Sequence, residues 1–404
     1  MKRFLFLAPT VLILAAAGAF ADNYQETTSW WFLNMASHNW TCADQRNACF
    51  PSVPNAGTFV GLYTVRHNGT LYAYVEGGGT PGPCNPPHGG DNFCVFTTTD
   101  SAPGWTGTGL SLVNHWPRPD DAWFWQLRSA FFDPNFNSFK LIASRTIAGD
   151  FNGIDEMDAE LGTSTDGINF TWTVLLKSFR TQIGVRLEDY VLVPHPTLSK
   201  VWVGTITWFD SQGHRRIAPW KVDWNTNTVY VANSSGQLQP IPVGGTLTFA
   251  PQAAYVGRVT NITSAAGAAG GRLEAWGTAS AGTSGSGVQN NPCPPGYPNG
   301  IATNQYLTNR SDPQQAGSTK VNYRVFDPNT LAFTTDWIDI TSLVRGLPSD
   351  YQMAESWMAY RFAPGGRDYV YTGSKDDVIC KYGLVSWNPW AGSGILVTKV
   401  TFQP

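Results

Sequence analysis

Charged side chains are scarce in this chain of 404 residues. They make up 14% of it, and the formal net charge is −3 at pH 7. Ordinary globular proteins carry roughly 25% charged residues. A net charge of −3 gives no indication of a basic surface that binds nucleic acid or an anionic membrane. Neither class of partner is therefore expected.

Long apolar runs are absent after the N-terminus. The chain opens with MKRFLFLAPTVLILAAAGAFADN, in which Lys2 and Arg3 precede an apolar run and Ala19-Phe20-Ala21 fits a cleavage site. This pattern predicts a secretory signal peptide over residues 1–21, with an uncleaved membrane anchor as the alternative. No later segment reaches the roughly 18 apolar residues that span a bilayer. We expect a secreted protein, extracellular or periplasmic, with no membrane contact once the signal is removed.

Metal-binding patterns are equally sparse. The chain has no Cys-x-x-Cys and no paired histidines, so a zinc site is not predicted. Residues 149–158, GDFNGIDEMD, space three oxygen ligands like part of a calcium loop but lack the later Gly and the closing Glu. We therefore expect no cofactor and find no support for a structural calcium.

The six cysteines are an even number, which indicates disulfides in an exported protein. Two pairs are near enough in sequence to close small loops, and the third pair is what remains. The predicted disulfides are Cys42–Cys49, Cys84–Cys94 and Cys293–Cys380.

Turn and strand formers, by contrast, are abundant: the chain holds 41 Gly, 27 Pro and 13% aromatic residues, including 17 Trp. A sequence pattern recurs five times, in which two apolar, partly β-branched runs flank a turn signal. Each copy predicts a hairpin. We call the start of the first strand in each copy its head, and the five heads lie near Thr58, Gln126, Glu188, Ala253 and Glu355.

A second sequence pattern follows each of these hairpins, in which a predicted strand leads into a turn at Asp or Asn and another strand follows the turn. The turns are centred on Asp100, Asp166, Asn225, Asp327 and Asn388. Four antiparallel strands per unit predict an all-β fold, a five-bladed β-propeller, with two β-sandwich domains as the alternative. The predicted inner strands are 58–65, 127–132, 189–194, 253–259 and 356–362.

The predicted domain organisation places the propeller over residues 58–404. Residues 22–57 are expected to cap one of its mouths. The stretch at about 277–305 is a low-complexity insertion rich in Gly, Ser, Asn and Pro, with no strand pattern.

Carboxylates stand at two of the five predicted heads. The third and fifth copies align without a gap, so that Glu355 falls on Glu188 and Trp357 falls on Tyr190. The first strand of each blade lines the axis of a propeller, and loops from all blades converge at its mouth. The candidate catalytic residues share a carboxyl group near such a head: Glu188, Asp189, Glu355 and Asp121. The candidate substrate-binding residues share an aromatic ring beside it: Tyr190, Trp357, Trp123 and Trp125.

Each candidate has an ordinary structural alternative. Glu188 has Arg186 as a near neighbour in sequence, Asp121 has Arg118, and Trp side chains also fill the space between propeller sheets.

The acidic heads and the hairpin GTSTDGINFTW resemble the five-bladed glycoside hydrolases, a group that includes arabinanases, β-xylosidases, invertases and levansucrases. The resemblance is one of architecture over most of the mature chain. It implies two or three carboxylates around an axial funnel, one of which protonates the leaving oxygen while another activates water or attacks the sugar. The head of the first copy, SVPNAGTFVGLY, departs from the group because it has no carboxylate.

Two functions remain from the sequence. The first is a carbohydrate-active enzyme that cleaves a polysaccharide or oligosaccharide, and the acids at two aligned heads favour it. The second is a non-catalytic propeller that binds a glycan or another extracellular ligand, or forms part of a surface assembly. The missing acid at the first head favours this second function.

Overall fold

The computed structural model describes residues 23–32, 58–78, 92–99, 111–117, 119, 122–147, 156–212, 214–264, 271–278, 291–292, 302–303, 322–339, 356–362, 368–374 and 394–403. For the strands at the two ends of the chain it describes the backbone pairing alone. None of the helices in these ranges is long and apolar enough to cross a bilayer.

The described elements are nearly all β-strands. In chain order they are β1 (Asn23–Phe32), β2 (Thr58–His67), β3 (Thr70–Gly78), β4 (Asn92–Thr98), β5 (Ser111–Trp116), β6 (Ala122–Asp133), β7 (Ser138–Ile147), β8 (Glu156–Ser164), β9 (Thr171–Ser178), α1 (Arg180–Ile183), β10 (Arg186–Pro194), β11 (Val201–Phe209), β12 (Arg215–Asp223), β13 (Thr228–Ala232), β14 (Leu238–Pro242), β15 (Thr246–Leu247), β16 (Tyr255–Val256), β17 (Arg258–Ser264), β18 (Leu273–Thr278), β19 (Asn291–Pro292), β20 (Ala302–Thr303), β21 (Asn322–Asp327), β22 (Ala332–Phe333), β23 (Ile338–Asp339), β24 (Ser356–Phe362), β25 (Asp368–Ser374) and β26 (Gly394–Gln403).

The chain folds as a propeller arrangement of antiparallel sheets. Four sheets follow one another along the sequence, in the strand orders β2-β3-β4-β5, β6-β7-β8-β9, β10-β11-β12-β13-β14 and β17-β18-β21-β22. Short additions extend three of them, because β15 pairs with β9, β16 with β12 and β23 with β21. We call these four sheets blades 1 to 4.

Four blades are thus described with their side chains, where the sequence repeat predicts five. The strands of the fifth predicted unit are arranged differently from the others. Their sheet has the order β1-β26-β25-β24, so three C-terminal strands are joined by one strand from the N-terminal segment. A pairing between residues so distant in sequence leaves no trace in the local repeat.

A β-bulge recurs in the first strand of each of these sheets, near the start of β2, β10, β17 and β24 and in the middle of β6, which has a second register shift between Ala122 and Phe124. The register shifts between Leu127 and Ser129 in β6, between Leu187 and Asp189 in β10, and between Val259 and Asn261 in β17. Strands β2 and β24 have the same kind of shift. The extra residue of a bulge is unpaired and bends its strand. In blades 2, 3 and 4 the extra residues are Arg128, Glu188 and Thr260.

The fourth inner strand begins later than predicted. The sequence predicted 253–259, but β17 runs from Arg258 to Ser264. Residues Tyr255 and Val256 instead pair with Arg216 and Ile217 of β12, the middle strand of blade 3, and Gly257 turns the chain with φ of 120°. Such a φ suits glycine, which has no Cβ. Strand β16 therefore belongs to the preceding blade.

Most of the described aromatic residues fill the space between blades. Blades 2 and 3 enclose Trp202, Trp220 and Tyr190, while blades 1 and 2 enclose Phe93 and Trp125. The Trp202 indole N–H donates to Asp133 Oδ2 at 2.6 Å, and the Trp220 indole N–H donates to the Val191 carbonyl at 2.9 Å. Many of the aromatic residues in the described part of the chain therefore pack in the hydrophobic core between blades.

The hairpin predicted at Asp166-Gly167 is confirmed, because β8 and β9 pair antiparallel across it. Asp166 Oδ1 accepts from the backbone N–H groups of Ile168 and Asn169, at 2.8 Å each. These bonds outweigh the effect of burial and hold the pKa of the Asp166 carboxyl below its usual range. Gly167 adopts φ of 74°, which this turn requires.

Candidate functional site

Inner strands of three blades bring their charged side chains together. Asp189 of β10 is fully buried, and its two oxygens contact Arg258 Nε at 2.7 Å and Arg258 Nη2 at 3.1 Å. Arg128 of β6 forms a further ion pair with Asp189 Oδ1. One buried carboxylate on blade 3 therefore binds guanidinium groups from blade 2 and blade 4.

Glu188, the bulged residue before Asp189, extends this group toward solvent. Arg215 of β12 donates to both of its oxygens, at 2.9 and 3.0 Å, and Arg258 Nη2 lies 3.6 Å from Oε1. The Glu188 side chain keeps 15% of its surface exposed. We call Arg128, Glu188, Asp189, Arg215 and Arg258 the inner-strand cluster.

The arginines of the inner-strand cluster keep Glu188 ionised. Burial raises the pKa of its carboxyl, but the charges of Arg215 and Arg258 and the hydrogen bonds from Arg215 outweigh burial and lower the pKa to about 2. A carboxylate of this kind accepts protons poorly and does not supply one at neutral pH. Of the two carboxyl roles in glycoside hydrolysis, it suits the ionised partner and not the acid.

Two of the predicted substrate-binding aromatics lie inside the protein. Tyr190 is 0% exposed, and its hydroxyl donates to the Met157 carbonyl at 3.1 Å and contacts Ser178 Oγ at 3.1 Å. Trp125 is 2% exposed and stacks on Phe93 with ring centroids 4.1 Å apart. The bulge at Glu188 interrupts the two-residue alternation of side chains along β10, so that Tyr190 is fully buried while Glu188 keeps partial exposure.

Other predicted site residues lie outside the described part of the chain. Asp121 and Glu355 are among them, immediately before β6 and β24. Trp123 and Trp357 lie within these two strands, but their side chains are not described. Their predicted roles remain predictions.

Cys94 is the one cysteine with a described side chain. It is fully buried in β4 and disulfide-bonded. The other cysteines, Cys42, Cys49, Cys84, Cys293 and Cys380, lie outside the described residues. All three predicted pairings therefore remain predictions.

A second group of charged side chains lies on blade 2, and the sequence reasoning did not identify it. Glu156, Asp158 and Glu160 occupy alternate positions of β8 and so share one face of the sheet. Arg145 Nη1 lies 2.8 Å from Glu160 Oε1, and Lys177 Nζ lies 3.3 Å from Glu156 Oε1. We call these five residues the Asp158 cluster.

Glu160 is the best satisfied member of the Asp158 cluster. It accepts a hydrogen bond from the Trp125 indole N–H at 2.8 Å in addition to its ion pair with Arg145. Asp158 is the opposite case. It is 1% exposed, and its Oδ1 has no hydrogen-bond partner.

The environment of Asp158 favours its protonated form. Burial raises the pKa of its carboxyl, Glu156 and Glu160 raise it further, and Lys177 and Arg145 only partly offset this, so the pKa is about 7. The signal in the sequence is the alternation of acids in EMDAE, residues 156–160, whose first part lies in the stretch that was compared with a calcium loop. No group of three or more His, Cys, Asp or Glu within the described ranges is arranged to hold a metal ion.

No family model and no curated protein matches the sequence. Among solved structures, the GH32 β-fructofuranosidase of Bombyx mori aligns with a TM-score of 0.45 and 11% identity, over 88% of this chain and 63% of that enzyme. This chain thus spans less than two thirds of that enzyme's length.

Two other solved structures are matched over more of their length. The catalytic domain of the GH62 α-L-arabinofuranosidase of Coprinopsis cinerea aligns with a TM-score of 0.45 and 10% identity, over 86% of this chain and 92% of that one. A GH43 β-xylosidase/α-arabinofuranosidase from a compost microbial metagenome aligns with a TM-score of 0.42 and 10% identity, over 86% and 94%.

Proposed function

We propose that this chain is a secreted propeller protein that hydrolyses a polysaccharide or oligosaccharide with carboxylates at the heads of its inner strands. The observation that carries the proposal is the position of Glu188. It is a partly exposed carboxylate at the bulge of an inner strand, held ionised by arginines.

The roles within the proposed site follow from the geometry of the inner-strand cluster. Glu188 acts as the ionised group, and because it accepts protons poorly its role is to attack the sugar as a nucleophile. Asp189 is buried and bound by two arginines, so it orients Arg258 against Glu188 and does not touch substrate. The proton for the leaving oxygen then comes from another carboxyl, for which Glu355 and Asp121 are the candidates.

The sheet of β1 and β24–β26 is, in this proposal, the fifth blade. Its support is the order of contacts among first strands, in which β2 contacts β6, β6 contacts β10, β10 contacts β17, β17 contacts β24 and β24 contacts β2. In a closed ring of this kind, Glu355, which directly precedes β24 in the sequence, would lie at the same mouth as Glu188. Trp123 and Trp357 would then flank the sugar.

The test is a polysaccharide panel with Glu188→Gln and Glu355→Gln, each of which keeps size and removes the charge. We expect a wild type that releases sugar and variants that lose at least about a hundredfold in kcat, as for removal of a general acid or base. The control is Asp336→Asn, which changes an exposed acid on blade 4. Full kcat in both Gln variants would disprove the roles.

The alternative is a propeller that binds a glycan or another extracellular ligand without cleaving it. The first blade favours this binding alternative, because its head has Thr58 and the bulged Val60 at the positions where an enzyme would need an acid. Binding to a polysaccharide without turnover across the whole panel would support this alternative and exclude the enzyme.

A further inference from the structure

We propose that Asp158 is a proton-binding switch, which stabilises blade 2 when its carboxyl is protonated and loosens it when the carboxyl ionises. The switch is separate from the proposed function, because none of the residues in the Asp158 cluster belongs to the inner-strand cluster. It would operate in an enzyme and in a binding protein alike.

The first argument is the balance of charge around Asp158. The groups that face it are Glu156 and Glu160 on its own strand, Arg145 on β7 and Lys177 on β9, and Tyr190 of β10 is also within electrostatic range. With Asp158 ionised, three carboxylates stand against two cations. With Asp158 protonated the two signs are equal.

The second argument is the environment of the carboxyl itself. Asp158 is 1% exposed, and its Oδ1 has no hydrogen-bond partner. A buried oxygen without a partner costs more when it carries charge than when it is neutral. The neutral acid is therefore the form that this site accommodates.

The third argument is position. Asp158 lies opposite Arg145 in the β7–β8 ladder, and its neighbour Met157 gives its carbonyl to the hydroxyl groups of Ser178 and Tyr190. Tyr190 packs against Trp220 of blade 3, with ring centroids 5.4 Å apart. A charge on Asp158 is thus placed one residue from the hydrogen bonds that join blade 2 to blade 3.

The direction of the pH effect follows from linkage. The pKa of Asp158 is raised from 3.8 to about 7 in the folded protein. Its contribution to stability is complete below pH 4 and is lost as pH rises through 7. A shift of this size changes the equilibrium constant for unfolding by up to about a thousandfold.

The experiment measures urea unfolding of the full chain between pH 4 and pH 8 for wild type and Asp158→Asn. Asparagine is neutral at every pH, so the ratio of the two unfolding constants isolates Asp158 from all other titrating groups. We expect wild type to lose stability relative to the variant as pH rises, with most of the change between pH 5 and 7.5. Asp336→Asn, the control, should run parallel to wild type.

A second variant guards against failure of Asp158→Asn to fold. Glu156→Gln removes the charge that raises the pKa of Asp158 most strongly after burial. It should move the pH-dependent loss of stability to lower pH by at least half a unit. Parallel curves for wild type and Asp158→Asn, or an unchanged midpoint in Glu156→Gln, would overturn the proposal.

Discussion

The inner-strand cluster and the Asp158 cluster use the same kinds of side chain in opposite proportions. In the first, three guanidinium groups surround two carboxylates; in the second, two cations stand beside three carboxyl groups. The excess of arginine lowers the pKa of Glu188 against the effect of burial, whereas burial, and after it the neighbouring acids, raise the pKa of Asp158. Burial favours the neutral acid in both places, so the local ratio of charges decides which form is stable.

The two clusters also differ in what they join. The inner-strand cluster connects blades 2, 3 and 4, because Asp189 binds arginines from two other blades. The Asp158 cluster lies within the sheet of blade 2. Loss of a charge should therefore be costly in the first cluster and harmless or favourable in the second.

The largest effect is expected for Asp189→Asn. The change leaves Arg128 and Arg258 buried without their shared counter-charge, and breaking a buried ion pair from one side costs about 3–5 kcal/mol. Urea unfolding at pH 7 measures the loss. The matched change in the other cluster, Asp158→Asn, should not destabilise the protein at that pH. Equal losses of stability in both variants would contradict the claim that the two clusters respond differently to loss of a charge.

The next effect is acid unfolding through Glu188. The pKa of this carboxyl is lowered from 4.5 to about 2 by the arginines, so its stabilisation is present above pH 4.5 and is lost as pH falls through 2. A shift of this size corresponds to about 3 kcal/mol. Comparison of wild type with Glu188→Gln between pH 5 and 2 measures it, and identical slopes would show that Glu188 contributes nothing.

A smaller effect is expected for Trp125→Phe, which changes a residue that contacts Glu160 of the Asp158 cluster. The variant keeps the stacking on Phe93 but removes the indole N–H that donates to Glu160. A buried carboxylate oxygen without its donor costs about 1–3 kcal/mol. The control is Trp337→Phe, whose indole donates at an exposed site. An equal loss in both variants would mean that the Glu160 bond adds no stability.

The smallest effect belongs to Asp336→Asn. Its carboxylate lies 3.5 Å from Arg324 and is fully exposed, so solvent screens the pair. We expect no change in the urea midpoint beyond experimental error. A clear fall in the urea midpoint would show that an exposed ion pair also stabilises this protein, and the difference between the two clusters could then not be assigned to burial and local charge.

The amino-acid sequence by itself predicted the all-β fold class, the Asp166 hairpin and the positions of several strands. Apolar alternation and Asp or Asn turns are local signals, and for this reason β2, β24 and the Asp166 hairpin agree with the predictions. The sequence also placed acids at the head of β10 at Glu188 and Asp189. These features depend on residues that are close neighbours along the chain.

Tertiary structure alone decided the rest. The bulges place Arg128 and Glu188 as extra residues, the register of β17 depends on the pairing of β16 with blade 3, and β1 joins β26 across nearly the whole chain. Asp189 and Arg258 are 69 residues apart in sequence. Whether a carboxyl group is ionised or neutral depends on which cations lie beside it in the folded protein. A local sequence pattern does not show contacts between residues so far apart in the chain.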